Sequence, residues 1–367
     1  MKSSVIAALA LVLAGAIAFG SLSAPRPARA TILMVNSTDD AFDASPGDGI
    51  CATMAGLRTL RAAVMEANHF PGADTITLSA GTYTLTDTAA GPLQIFGDLS
   101  IVGAGALNTI VDGAGGPEAV FRNGGGALKI TGLTIRNAAN GIIANGQVSV
   151  FDSKLMDNGH GVVTTGNSLT IARTTISGNS APSNGGGGAG IAIGSGIVTV
   201  TDSTLSNNAA TGSNSGGAVF AGGGKASFVN VTFSGNTAFR GGAISTDNSS
   251  AGSLDLVNVT ITSSSAQSGA AISHFNTNKP VRFINTIVAN SGSGGNCYLE
   301  GSTSLTSLGH NLDSGASCGF AGPGDLNNTN PQLASLADNG GPTQTHALLP
   351  GSPAIDAASN LGCPFAD

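Results

Sequence analysis

One short phrase recurs through the middle of the chain: an apolar-polar-apolar triplet, a polar corner, a second apolar alternation, then asparagine. It reads Val148-Ser149-Val150 with Leu155 and Asn158, Leu169-Thr170-Ile171 with Ile176 and Asn179, Val198-Thr199-Val200 with Leu205 and Asn208, and Ala226-Ser227-Phe228 with Phe233 and Asn236. Leu254-Asp255-Leu256 with Ile261 continues the series with Ser264 in the asparagine slot, and Val281-Arg282-Phe283 with Ile287 and Asn290 is one residue shorter. The middle apolar positions, 135, 155, 176, 205, 233, 261 and 287, lie 20 to 29 residues apart. A period of that length, built from two or three short strands, is a solenoid coil; a four-stranded propeller blade needs ~40 residues.

Stacked coils bring equivalent residues ~4.8 Å apart, so apolar positions form interior ladders and corner residues stack. At the first corner stand Asp152, Asp202, Asn230, Asn258 and Asn285, with Arg173 the exception. Asparagine and aspartate suit a left-handed corner. Parallel crossovers are right-handed in nearly all cases, so the expectation is an all-β, right-handed parallel β-helix. Glycine runs at 185 to 188, 216 to 217, 222 to 224 and 241 to 242 are expected in the third turn of the coils, where a missing Cβ permits close approach. They account for much of an unusual count of 55 glycines in 367 residues. Only 10% of residues are charged, and 41% are hydrophobic, which excludes a disordered chain.

The N-terminus has the form of an export signal: Lys2, an apolar run at 5 to 19, then Ala28-Arg29-Ala30, which makes Thr31 the expected mature start. No segment of the mature chain is long and apolar enough to span a bilayer. Without its first 30 residues the chain has 11 basic against 21 acidic side chains, a net −10, and it has no Trp. That balance argues against nucleic acid as a partner. The four cysteines, 51, 297, 318 and 363, fit an oxidising compartment and allow three pairings. Cys297 with Cys318 is the favoured bridge, 21 residues apart across Gly-rich sequence.

Three resemblances follow from specific stretches. Gly216-Gly217-Ala218-Val219, Phe233-Ser234-Gly235-Asn236 and Gly241-Gly242-Ala243-Ile244 resemble the GGAI and FxxN repeats of chlamydial polymorphic outer-membrane proteins, within the wider pectin-lyase-like superfamily. Residues 57 to 68 read as the one helix, with Leu57, Leu60, Val64 and Ala67 on one face, capping the end of the solenoid. With Asp48-Gly49-Ile50-Cys51 before it and Gly72 to 78 after, the segment resembles the CSLREA domain of exported bacterial β-helix proteins. Arg58 stands where that family has its second Cys, which leaves Cys51 without the expected partner. Leu336-Ala337-Asp338-Asn339-Gly340-Gly341-Pro342-Thr343 and Thr345-His346-Ala347-Leu348-Leu349-Pro350-Gly351-Ser352-Pro353-Ala354-Ile355-Asp356-Ala357 resemble the choice-of-anchor Q domain. That family continues to a further Cys beyond Cys363, so Cys363 also lacks its expected partner. The resulting division is a signal peptide at 1–30, a CSLREA-like cap and first strands at 31–80, β-helix repeats at 81–290, and a choice-of-anchor Q-like region, shorter than the family's, at 291–367.

Candidate sites are sparse. Gly159-His160-Gly161, with Asp157 nearby, is similar to the GHG element of polygalacturonases, but such hydrolysis needs paired carboxylates and residues 127 to 147 contain neither Asp nor Glu. His160 is therefore read first as a variant of the Gly-rich turn. Asp39, Asp40, Asp43 and Asp48 form the densest acidic run and are the candidates for calcium, with a solvated loop as the alternative. Gly103-Ala104-Gly105 is a coil turn, since Asn108 takes the third glycine position of a dinucleotide loop. His274 and His310 lack triad partners, and His346 is expected to be a structural hydrogen-bonding residue. No catalytic or cofactor site is evident. The expectation is a secreted or cell-surface monomer of adhesive character that binds a polysaccharide or another surface molecule; the alternative is a polysaccharide lyase or glycoside hydrolase of the pectin-lyase-like superfamily.

Overall fold

The computed structural model describes residues 30–116, 118–184, 186–246, 252–275 and 278–360; the apolar leader and Cys363 lie outside the described residues. The chain forms a right-handed parallel β-helix of about 9 turns. A typical coil places Gln147–Phe151 in a first sheet, Lys154–Met156 in a third and His160–Thr164 in a second, before the chain rises to Ser168–Ala172 above the starting strand. The first and third sheets have 11 strands each and the second has 9.

The triplets stack as the repeat requires. Ile101, Ile130, Val150, Ile171, Val200 and Phe228 are in register on the inner face of the first sheet, and all are fully buried. Coils this short cannot close backbone hydrogen bonds within themselves, so each coil's amides are satisfied by the coils above and below. At the corner after the first sheet, Asp152, Arg173, Asp202, Asn230, Asn258 and Asn285 all have φ between 48° and 56°. Arg173 breaks the residue pattern without breaking the conformation, and its guanidinium makes two bonds to Asp152, at 2.6 and 2.7 Å. Above it, Asn230 donates to Asp202, Asn258 to Asn230 and Asn285 to Asn258, at 3.0 to 3.1 Å.

The asparagine of the repeat phrase is an interior residue. Asn158, Asn179, Asn208 and Asn236 are buried one above the next, each amide donating to the Oδ1 of the following one at 2.9 to 3.2 Å. The same oxygens accept backbone N–H groups, as Asn208 does from Asn179 and Asn236 from Asn208. This file of side chains lets the chain turn inside the core without leaving a buried polar group unpaired.

Glycine placement needs one correction. The runs at 216 to 217 and 241 to 242 precede second-sheet strands, and a Cβ on Gly217 would stand 2.2 Å from the Gly242 carbonyl oxygen. The run at 222 to 224 follows Val219–Ala221 and so belongs to a different turn, the one leading back to the first sheet. In the coil above His160 the extra length is spent between the third and second sheets: the path from Ile176 to Ile191 is much longer than that from Leu155 to Val162.

The helix is shorter than its apolar face suggests. It runs Leu60–Ala67, because the Thr59 hydroxyl accepts from the Ala62 N–H and caps it there; Leu57 lies outside and is 39% exposed. Strands stand on both sides of residues 81 and 290. Ile32–Met34 and Ala73–Thr77 already belong to the first sheet, and Cys297–Leu299, Leu305–Ser307 and Leu312–Asp313 extend all three sheets beyond 290. The Cys297–Cys318 disulfide is present, with Cα atoms 4.9 Å apart, whereas Cys51 is a buried free thiol whose pKa burial pushes up. After the last coil, Leu333–Ala337 and Thr345–Leu348 form an antiparallel hairpin that folds back onto the third sheet.

A buried polar cluster lies at the C-terminal ends of second-sheet strands. His274 Nδ1 and the Thr246 hydroxyl are hydrogen-bonded at 2.9 Å, and the fully buried Lys279 donates to the carbonyls of Ala221 and Gly222 at 2.7 and 2.9 Å. Burial first, and the Lys279 charge second, hold the His274 imidazole down at about 4.

Two outcomes follow from these contacts. Asn208→Leu keeps the branching of the side chain but removes four hydrogen bonds and strands their partners, so the urea midpoint should fall by the equivalent of about 3 kcal/mol; an unchanged midpoint would show that the file is dispensable. For His274, the unfolded chain binds a proton near pH 6.5 that the folded chain resists until about 4. Its contribution, up to about 3 kcal/mol, is therefore present above pH 6.5 and lost as pH falls toward 4. The midpoint measured from pH 7 to 4 should decline less steeply in His274→Gln than in the parent.

Candidate functional site

Three surfaces could carry function, and the third sheet is the first to be reduced. Its outward Thr204 and Ser234 have the register of a regular hydroxyl ladder. The C-terminal hairpin occupies them: the Thr204 hydroxyl donates to the Gln344 carbonyl, and His346 bridges Ser234 (3.0 Å) and the Ala334 carbonyl (2.7 Å). Thr343 also reaches the Asp202 carbonyl at 3.3 Å. In these coils the polar surface is spent on intramolecular packing.

The second sheet carries a groove of about 630 Å³ whose lining includes Glu118, Arg122, Asn140, Asn145, His160 and Ser180. It has a simple origin. Short coils carry Asn140 and His160, and the next coil lengthens abruptly, so that Ser180 and Pro182 stand up as a wall beside them. By register His160 takes the position of Gly217 and Gly242 in later coils. It is a histidine in the Gly-rich turn, with Nδ1 donating to the Gly188 carbonyl at 3.2 Å, which in a neutral ring leaves Nε2 as an acceptor. Asp157 does not share the groove. It is exposed at a left-handed corner (φ 55°) on the far side of buried Asn158, so the two sequence candidates are not brought together. The carboxylate in the groove is Glu118, and it is ion-paired with Arg122. An acid and base pair flanking one glycosidic oxygen is not assembled here among the described residues.

The acidic run is dispersed. Asp40 is buried in an ion pair with Arg61 at 2.6 Å, Asp43 accepts from the Ser45 N–H at 3.1 Å, and Asp48 accepts from the Ile50 N–H at 2.7 Å. Asp39 is exposed. Among the described residues no three His, Cys, Asp or Glu side chains come close enough to hold a metal ion. Asp40 instead ties the cap together through Arg61 and the Asp87 N–H, as does Glu66, which accepts from the N–H groups of Gly47 and Gly49. His310 is also structural, bonding the Ala357 carbonyl through Nδ1 at 2.7 Å. Gly103 and Gly105 lie in the turn between Asp98–Val102 and Thr109–Asp112, with no helix after them.

The outer face of the first sheet is the most regular. Its central row runs, in register, Thr75, Ser100, Lys129, Ser149, Thr170, Thr199, Ser227, Asp255, Arg282 and Thr306. All ten are hydrophilic and none is buried. Beside it Phe151 lies between Lys129 and Arg173, whose charges stand 5.5 and 5.9 Å from the ring centroid. The Asp152 carboxyl is held below the usual range by its hydrogen bonds from Arg173. Sequence reading located the repeat that builds this row but missed Phe151, which has to be placed on the outer face before its two cationic neighbours can be seen.

The solenoid fold is thus established from the coordinates alone: the chain matches no family model, no curated protein and no solved structure.

Proposed function

We propose that this is an exported binding protein that holds an elongated, hydroxyl-rich partner, such as a neutral glycan chain, along the outer face of the first sheet. The observation that carries this reading is the ten-residue hydrophilic row, repeated at the coil spacing. Seven of its ten residues are Ser or Thr, groups that both donate and accept, as sugar hydroxyls do. A net acidic chain with two Tyr and no Trp supports hydrogen bonding over aromatic stacking, and neutral over anionic polymers. Secretion, adhesion and kinship with CSLREA and choice-of-anchor Q proteins belong to the same proposal and rest on the leader-like N-terminus and the sequence stretches quoted above.

A second reading, a polysaccharide lyase or hydrolase acting in the groove at His160, is favoured by that groove alone. Incubating the protein with neutral glycans and polyuronates, with and without calcium, and scoring both retention and cleavage separates the two. Binding without cleavage is expected. The triple variant Ser149→Glu, Thr170→Glu, Thr199→Glu should weaken it by about tenfold or more, close to 1.4 kcal/mol, with His160→Ala unchanged. Turnover that disappears in His160→Ala would replace the binding reading with the enzymatic one.

A further inference from the structure

The first coil contains a carboxylate where every neighbouring coil has a hydrocarbon. Asp74 enters the first sheet in the interior row continued by Leu99, Leu128, Val148 and Leu169, and it is 1% exposed. On its other side Ile32–Met34 pairs with Ala73–Thr77, Ile32 opposite Thr75, which sets Thr31 beside Asp74. The Thr31 N–H donates to Asp74 Oδ1 at 2.8 Å, the Thr31 side chain also hydrogen-bonds the Asp74 carboxyl, and the Thr31 carbonyl accepts from the Thr75 N–H at 2.8 Å, so this residue is held from both sides. Asp74 Oδ2 is buried and has no hydrogen-bond partner. A carboxylate in that state is costly. An amide nitrogen has one hydrogen to offer, whereas an ammonium at the same atom has three and carries the opposite charge.

We propose that the Ala30–Thr31 bond is a processing site and that Asp74 is the receptor for the α-ammonium group its cleavage creates. Ala30 is exposed, and Ala28-Arg29-Ala30 presents small residues at the two positions that an export endopeptidase reads. In the cleavage, water adds across the amide and the C–N bond breaks. Ala30 departs as a carboxylate, and the Thr31 nitrogen keeps its hydrogen and takes the two from water. The resulting ammonium lies at the existing 2.8 Å contact and has hydrogens left for Oδ2. Processing then converts a first coil with an unpartnered carboxylate oxygen into an ion-paired one, and the stability of this end of the solenoid is tied to the correct mature N-terminus.

The test uses the full chain from residue 31, released from a removable fusion so that it starts at Thr31, against the same chain with Gly-Ser added before Thr31. Both are also made with Asp74→Asn. The chain starting at Thr31 should melt higher than the extended one. Its α-amine should react with an acetylating N-hydroxysuccinimide ester about tenfold more slowly for each unit by which its pKa is raised. Both differences should vanish in Asp74→Asn. If the Asn variant does not fold, the comparison of the two unsubstituted chains still decides. Equal melting of those two, or a difference that persists without the carboxylate, overturns the role of Asp74. Intact mass of the secreted protein decides the processing site separately: a start at Thr31 supports it, and any other start overturns it.

Discussion

Backbone pairing between coils is the interaction on which everything else here depends. A coil of 20 to 29 residues buries too little to fold alone, and its amides point along the solenoid axis, where only another coil can satisfy them. Register is therefore fixed by stacking, and side chains at equivalent positions become neighbours whether or not they are good ones. The chain makes them good ones by repetition: hydrocarbon over hydrocarbon inside the first sheet, and asparagine over asparagine at the two corners. Asparagine is suited to such a file because its amide donates to one neighbouring coil while its carbonyl accepts from the other, so the file extends without an unpaired member.

Repetition also explains what could be read from sequence. The Asn158, Asn179, Asn208 and Asn236 slot and the corner at 152 to 285 are visible because each is stated several times over, so one odd residue such as Arg173 does not hide them. The bridge between Cys297 and Cys318 is local and was equally legible. Features stated once were not. The helix start depends on one hydroxyl, that of Thr59, and periodicity alone extends the helix to Leu57. The hairpin that covers Thr204 and Ser234 comes from more than 100 residues downstream, and nothing in the Thr/Ser pattern distinguishes that covered ladder from the open one on the first sheet. Buried Lys279 and His274 likewise leave no periodic trace.

The candidate sites follow the same division. His160 was legible as a residue, but the groove around it arises from a step in coil length, which places Ser180 and Pro182 opposite it. Asp157 is close to His160 in sequence and separated from it in space, because the turn between them passes through buried Asn158. Proximity along a solenoid chain is a poor guide to a site; equivalence between coils is a better one.

Each sheet has met the exposure of its outer face differently, and that difference argues for where a ligand would lie. The third sheet is covered around Thr204 and Ser234 by the chain's own hairpin. The second is flanked by arms that differ in length between coils, so its surface changes from coil to coil and suits at most a compact ligand at one step. The first sheet keeps nearly constant strand length and register from Ala73–Thr77 to Val281–Ile284, and none of the ten residues in its central outer row is buried. Covering that row with another segment of the chain would bury a long line of hydroxyls that an irregular loop could not satisfy. A partner with its own regular repeat of hydroxyl groups could satisfy them, and this matching of periods is the physical reason to look for an elongated ligand there.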